Sequence, residues 1–454
     1  MFKIFANAWR VEDIRKKLLF VFLLLLIFRI GSFVPVPGID IELLDAIRNP
    51  LGGPQDGVVT VFQLIMGGGI ASVFAMGIAP YITASIIMQL LSYAIPQLAA
   101  LKKDGGEEGN KKIQQITRYL AVGLAALQAA AMVFSYTNHN TNTEFGFVNL
   151  FRPEHQNFFV YAIAVLAMTA GTIFIMWLAE LITEKGIGQG ASFLIFANIL
   201  AALPQGAMAL WFMVIEGDNT AMSVGLVVLL LIVFVAIIAF VVLVHEGERR
   251  LPVQYAKRAA ASGRGAGMHG NHNSFIPIKV NMAGVLSIIF AMSLSQFPLQ
   301  IAQFFPSGHE QSPYVDPNLM ERIAARLAWD NWFGIILYVV LIFMFTHFYT
   351  SFAVSPQDMS ENMKKNGGFI PGIRPGAPTK EFIQTTVNRL SWIGAIFYSL
   401  IAVIPVLIDL LPFVRVPLGF GGTSLLIATG VALEFVKQLE SQLLMRHYKG
   451  FLND

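Results

Sequence analysis

TVFQLIMGGGIASVFAMGIAPYITASIIMQLL, residues Thr60–Leu91, is apolar almost throughout, yet it is interrupted by Gly67-Gly68-Gly69 and by Pro80. Its hydrophobicity asks for a membrane helix, whereas glycine and proline are poor residues for a helix interior. In hydrocarbon every unsatisfied backbone group costs several kcal/mol, so a broken helix persists only inside protein or beside a water-filled cavity. The stretch therefore predicts a conduit as well as a membrane segment.

The whole chain agrees. Of its 454 residues 55% are hydrophobic and 13% charged, with a mean hydropathy of +0.63; soluble domains carry about 25% charged residues. There is no cysteine, which excludes disulfides, thiolate metal sites and thiol nucleophiles. The net charge of +3 decides little. Its distribution decides more.

Ten apolar runs approach the roughly 20 residues that a span needs. They lie near Leu18–Val34, Ser72–Ala94, Thr117–Tyr136, Phe158–Leu181 and Ser192–Met213, then near Met222–Val244, Ala283–Phe304, Phe333–Ala353, Leu390–Leu411 and Gly422–Leu443. Lys102, Lys103, Lys111, Lys112 and Arg118 lie between spans two and three. Arg249, Arg250, Lys257, Arg258, Arg264 and Lys279 follow span six, and Lys364, Lys365, Arg374, Lys380 and Arg389 follow span eight. The alternate connections, with Glu144, Arg152, Glu216 and Asp218, are poor in lysine and arginine.

With the N-terminus in the cytoplasm, all 31 basic residues fall inside except Arg29, Arg48, Arg152, Arg322, Arg326 and Arg415. The opposite orientation would violate the positive-inside rule, so both termini are expected to be cytoplasmic. No small-residue cleavage site follows the first run, and Pro35-Val36-Pro37-Gly38 reads as a turn, so that run is an uncleaved span. Met1–Lys17 reads as an interfacial amphipathic helix, or as the ordinary basic flank of the first span.

No enzyme signature survives inspection: HExxH, G-x-S-x-G and GxxxxGK[ST] are all absent. His347 reads as a satisfied interior histidine. A solute or ion secondary transporter is the rival reading, and it needs ionisable groups at mid-membrane depth. The candidates are Arg29, Glu180, His347 and Glu434, none of them placed as a midplane coupling site. The interrupted segments are walled by Ile, Leu, Met and Phe, which suits a narrow greasy constriction better than a solute cradle.

Several longer motifs carry a resemblance. SVFAMGIAPYITASIIMQLL (Ser72–Leu91), WLAELITEKGIGQGASFLIF (Trp177–Phe196) and NGGFIPGIRPGAPT (Asn366–Thr379) resemble signatures of the SecY family, the channel subunits of the general protein-translocation complex. RIGSFVPVPG (Arg29–Gly38), RRLPVQYAKR (Arg249–Arg258), PIKVNMAGV (Pro277–Val285) and FGGTSLLI (Phe420–Ile427) extend the likeness over the whole chain in the family's order.

The resemblance implies an all-α polytopic membrane protein of ten transmembrane helices, in two pseudo-symmetric five-helix halves around an hourglass pore. The halves are residues 1–215 and 216–454, the second bearing loops 246–277 and 354–389. It implies a plug over about residues 60–71, containing Phe62, Leu64 and Ile65, with Gly67, Gly68 and Gly69 as its hinge. From the residues alone, those glycines fit a small-residue helix contact too. The family's ring of six bulky apolar side chains falls on Ile78, Ile82, Ala191, Ile195, Ile289 and Ile427. Such a ring closes to ions by dewetting and parts around a peptide. Ala191 is smaller than the residue usual there, and Gln189 replaces the asparagine of GIGNG. A lateral gate is implied between spans two and three and spans seven and eight. Gly284, Ser287, Ser293 and Ser295 would soften span seven, although close helix packing explains such residues equally well.

The implied docking residues are Arg249, Arg250, Lys257, Arg258 and above all Arg374, presented between Pro371 and Pro375. The implied partners are SecE-type and SecG-type small membrane subunits, the SecA motor ATPase and the ribosome, contacted through ribosomal RNA and no other specific nucleic acid. The translocating polypeptide with its signal sequence and the lipid bilayer complete the set. No cofactor, metal or catalysis is implied. The implied location is the bacterial plasma membrane.

Overall fold

The computed structural model describes residues 2–40, 72–137, 139–140, 147–148, 150–216, 220–255, 274–280, 282, 284–302, 322–323, 326–327, 331–409 and 422–450. The expected plug and hinge residues, Phe62 to Gly69, lie outside them, as do Lys257 and Arg258.

In chain order the described helices are α1 (Phe2–Arg10), α2 (Glu12–Gly31), α3 (Ala79–Ala94), α4 (Pro96–Asp104), α5 (Gly106–Thr137), α6 (Phe158–Lys185) and α7 (Gly190–Glu216). They continue with α8 (Thr220–Glu246), α9 (Leu286–Ala302), α10 (Trp332–Ala353), α11 (Pro356–Lys365), α12 (Ala377–Asp409) and α13 (Gly422–Gly450). Each of the ten apolar runs carries one of these: α2, α3, α5 to α10, α12 and α13. Among the described residues five helices qualify as membrane crossings by length and composition alone, including Phe158–Lys185 and Ala377–Ile404.

Two boundaries differ from the sequence reading. Met1–Lys17 is not one helix: it bends at Val11, whose φ of −86° and ψ of 113° are extended, and Glu12 starts the first span. Ala8 and Ile14 are buried with Ile187 and Leu439, so this segment packs partly on protein. Span two starts at Ala79, not Ser72, because Pro80 sits in the first helical turn, where its missing N–H costs nothing.

The non-helical stretch Ser72–Ile78 is lined by protein. Val73 N–H donates to Val34 O at 2.9 Å, Ala75 to Ser72 O at 2.9 Å, and Gly77, with φ +55°, to Phe74 O at 2.9 Å. Phe74 stacks between Phe28 of α2 and Phe174 of α6, with ring centroids 6.1 and 5.9 Å apart. Gly31 and Gly171 face Phe74 and Val73, and a Cβ at either would overlap them. The broken backbone is thus hydrogen-bonded internally, as the bilayer demands.

Helix pairing reveals a repeat. In the first half α3 packs on α5, α5 on α6, α6 on α7, and α2 on both α6 and α7. Five spans later α9 packs on α10, α10 on α12, α12 on α13, and α8 on α13. Phe240 of α8 meets Phe397 of α12 at 4.9 Å, the counterpart of α2 against α6. The halves meet through α9 against α3 and α5, and again through α7 against α8 and α13. Each helix buries apolar surface against its neighbours while an outer stripe, such as Leu166, Val235 and Trp392, stays exposed.

Connections segregate by end. Val36, Ile39, Leu150 and Phe151, from the first and third connections, share one cluster. The other end gathers Ala8, Ile187 and Leu439. The cytoplasm-assigned connections also build something the sequence reading missed, a three-stranded antiparallel sheet. Its strands, which come after the short antiparallel pair β1 (His139–Asn140) and β2 (Phe147–Val148), are β3 (Glu248–Tyr255), β4 (Ser274–Lys279) and β5 (Gly368–Phe369), and they run in the order β4-β3-β5. Arg250 pairs with Pro277 and Pro252 with Phe275 across the hairpin, and Tyr255 pairs with Gly368. Leu251, Val253, Ile278, Met363, Ile370, Ile383 and Val387 bury themselves beneath the sheet.

Candidate functional site

Four of the six ring positions, Ile78, Ile82, Ile289 and Ile427, are 4 to 9% exposed and belong to one buried apolar cluster. Ala191 and Ile195 are half-buried and pack against the same cluster. Ile78 and Ile82 flank Pro80 at the start of α3, Ala191 and Ile195 lie one turn apart in α7, and α9 and α13 supply Ile289 and Ile427. The six positions therefore come from both halves and belong to, or pack on, the one apolar cluster that the halves share. None of the four buried isoleucines faces outward with the exposed stripe. The six ring side chains themselves carry no hydrogen-bonding group for an ion or solute; their chemistry is exclusion.

The groups that a coupled transporter would use lie outside this cluster. Glu180 Oε1 accepts from Arg118 Nε at 2.7 Å, joining α6 to α5. His347 Nδ1 lies 3.0 Å from Ser391 Oγ on α12 and its ring meets Trp392 edge-on at 6.0 Å. It is satisfied, though on an exposed face and not inside the bundle. The Arg29 guanidinium sits 5.4 Å from the Phe33 ring centroid. Glu434 is exposed and lines a cavity of about 530 Å³ with His245, Lys279 and Lys437. Among the described residues no group of His, Asp or Glu is arranged to hold a metal ion.

The described docking candidates share one platform. Arg249 and Arg250 are exposed on β3, with Arg250 Nε 2.7 Å from Glu248 Oε1 and its guanidinium 4.8 Å from the Phe275 ring. Because β3 pairs with β5, that strand is tied to the loop bearing Arg374. Arg374 is exposed, and its carbonyl accepts a hydrogen bond from Thr379 Oγ1 at 2.8 Å. Gly372 and Gly376 hold φ of +83° and +108°, and Ser360 Oγ donates to Gly376 O at 2.8 Å. This is a fixed turn, as Gly and Pro predict. A groove of about 620 Å³ beside it is lined by Arg249, Glu381, Phe382 and Arg389.

Sequence reasoning missed the Arg118 partner of Glu180, although opposite charges at the same end of consecutive spans were the available signal. It also missed a hydrogen bond from Tyr349 to Gln89, which no spacing rule reveals.

A family profile described as SecY matches residues 72–436. The protein translocase subunit SecY of Streptomyces coelicolor is 41% identical over 456 residues, covering 100% of both chains. A solved protein-conducting channel superposes with a TM-score of 0.60 at 18% identity, over 93% of this chain and 90% of that one. Sec61 from the canine ribosome-channel complex of the endoplasmic reticulum superposes with a TM-score of 0.59 at 17% identity, over 93% of this chain and 90% of that one.

Proposed function

This chain belongs to the SecY family, and we propose that the buried isoleucine cluster between its halves is the constriction through which it passes polypeptide. It is a multi-pass membrane protein and a protein-conducting channel subunit of a translocase, not an enzyme. Unfolded secretory chains cross through it, and membrane-protein segments leave it sideways into lipid, driven by a partner.

One observation carries the assignment of the constriction: four buried isoleucines and two half-buried neighbours, drawn from four helices in both halves, meet in one cluster. Branched side chains seal by dewetting and have no covalent link to one another, so an extended chain can part them. The plug is proposed at residues 60–71, leading into the protein-lined stretch that starts at Ser72. Its removal opens the seal.

The sheet and the Arg374 turn are proposed as the docking surface. Exposed Arg249, Arg250 and Arg374 suit ribosomal RNA phosphates, which attract arginine without sequence readout. They equally suit the acidic receptors of a SecA-type motor. The ribosome complex of canine Sec61 supports the first partner. SecE-type and SecG-type subunits are proposed as further partners and a bacterial plasma membrane as the location, readings that family membership supports; the basic residues of the connections after spans two, six and eight support cytoplasmic termini.

Purified chain with its small subunits in liposomes tests the reading. Near-silence toward ions and solutes, ending when residues 60–71 are deleted, is expected. Saturable flux of a small solute by the intact chain would overturn it.

A further inference from the structure

The run Ser72–Ile78 ends on the first position assigned to the constriction, yet it is not a helix, so no helical ladder fixes where it ends. Its backbone is tied at its beginning, by Val73 N–H on Val34 O and by the bridge of Ser72 with Pro35. Toward Ile78 the tie is a side chain, Phe74, while Ala75 and Met76 rest on the separate cluster of Val36 and Phe151. Two helices build the seat of Phe74 from the same pair of residue types. α2 offers Phe28 and, three residues on, Gly31; α6 offers Gly171 and, three residues on, Phe174. Residues three apart share a helix face. The two phenylalanines stack on Phe74 with planes 11° and 25° from parallel. The glycines leave the room it needs: an added Cβ at Gly31 would overlap the Phe74 ring, and one at Gly171 would overlap Val73 O. From this seat Phe74 O accepts Gly77 N–H at 2.9 Å; Ile78 follows, and its carbonyl accepts Ile82 N–H at 3.1 Å.

We infer that Phe74 is a positioning residue for the constriction: its seat between α2 and α6 sets where Ile78 and Ile82 meet the isoleucines of the other half. This inference rests on the channel reading above and goes beyond it, because Phe74 is not itself a ring position. Each stacked pair favours the seated run over a displaced one by about two- to tenfold. Displacement carries Ile78 with it, since only Gly77 and its neighbours intervene, and the ring loses one wall without any helix unfolding.

The test uses the complete complex in liposomes, without substrate, and reads ion leak beside the melting temperature. Ile78→Ala is the reference for a breached ring. Phe74→Leu, which loses both stacked contacts, and Gly31→Ala, whose methyl displaces the ring, are each expected to leak about tenfold more than the unsubstituted chain. In the double variant the methyl enters space that the smaller leucine leaves, so its leak is expected to fall below that of both singles. Phe397→Leu makes the same truncation in the same cluster, on α12, which carries no ring position. It is expected to lower the melting temperature without leak. Should Phe74→Leu not assemble, Gly31→Ala keeps every other native side chain and reads the same displacement. Unchanged leak in either assembled single, equal leak from Phe397→Leu, or a double that does not fall below both singles overturns the inference. An Ile78→Ala complex that does not leak defeats the assignment of the constriction itself, and the seat with it.

Discussion

Ile289→Ala is the substitution that bears hardest on the constriction. Ile289 is 6% exposed in the cluster shared by both halves. The change removes three carbons, so about 2.4 kcal/mol of transfer free energy is lost at about 0.8 kcal/mol per carbon, before any cavity term. While the ring is parted around a chain, Ile289 faces the passenger and not its fellow isoleucines, so the loss falls on the closed state. A bias of about 2.4 kcal/mol corresponds to roughly fifty-fold more open channel at rest. The assay is ion leak from liposomes holding the complex without substrate. Ile175→Ala is the control: Ile175 is fully buried in the same cluster but belongs to α6 and not to the ring. It should lower the melting temperature comparably without leak. Equal leak from both variants, or none from a folded Ile289→Ala, would refute the reasoning, because the seal would then not be local to the ring.

Arg374→Glu should abolish motor-driven translocation at an unchanged melting temperature, since the side chain is exposed; an export assay at normal rate would remove the docking role. Glu180→Gln should leave export unchanged, because its pair with Arg118 is partly exposed and such pairs contribute about 0 to 1 kcal/mol. Lost export in that variant, measured beside thermal unfolding, would show that Glu180 has a transport role.

The spans were legible because apolar length is a local property, and so was the interruption at Pro80. Where span two begins was less legible: Ser72–Ile78 is as apolar as a helix but is held as turns by Val34, Phe28 and Phe174, residues distant in sequence. The repeat was invisible in the residues and emerges only from which helices pair in each half. Strand β3 was hidden by Pro252 and by the charges of RRLPVQYAKR, which read as a loop until the partner strand Ser274–Lys279 supplies the hairpin. The ring positions came from motif resemblance alone. Nothing in an isoleucine's own neighbourhood distinguishes Ile289, a proposed ring position, from Ile288, which is buried beside it.

The natural absence of cysteine allows one decisive measurement. Single cysteines placed at positions 78, 195, 289 and 427, and at the outward-facing positions 166 and 235, can each be tested for a disulfide to a cysteine in a passenger stalled midway. Crosslinks at the first four, drawn from both halves, and none at the last two are expected. A passenger that meets positions 166 and 235 as readily as the isoleucine positions would mean that polypeptide does not travel between the halves.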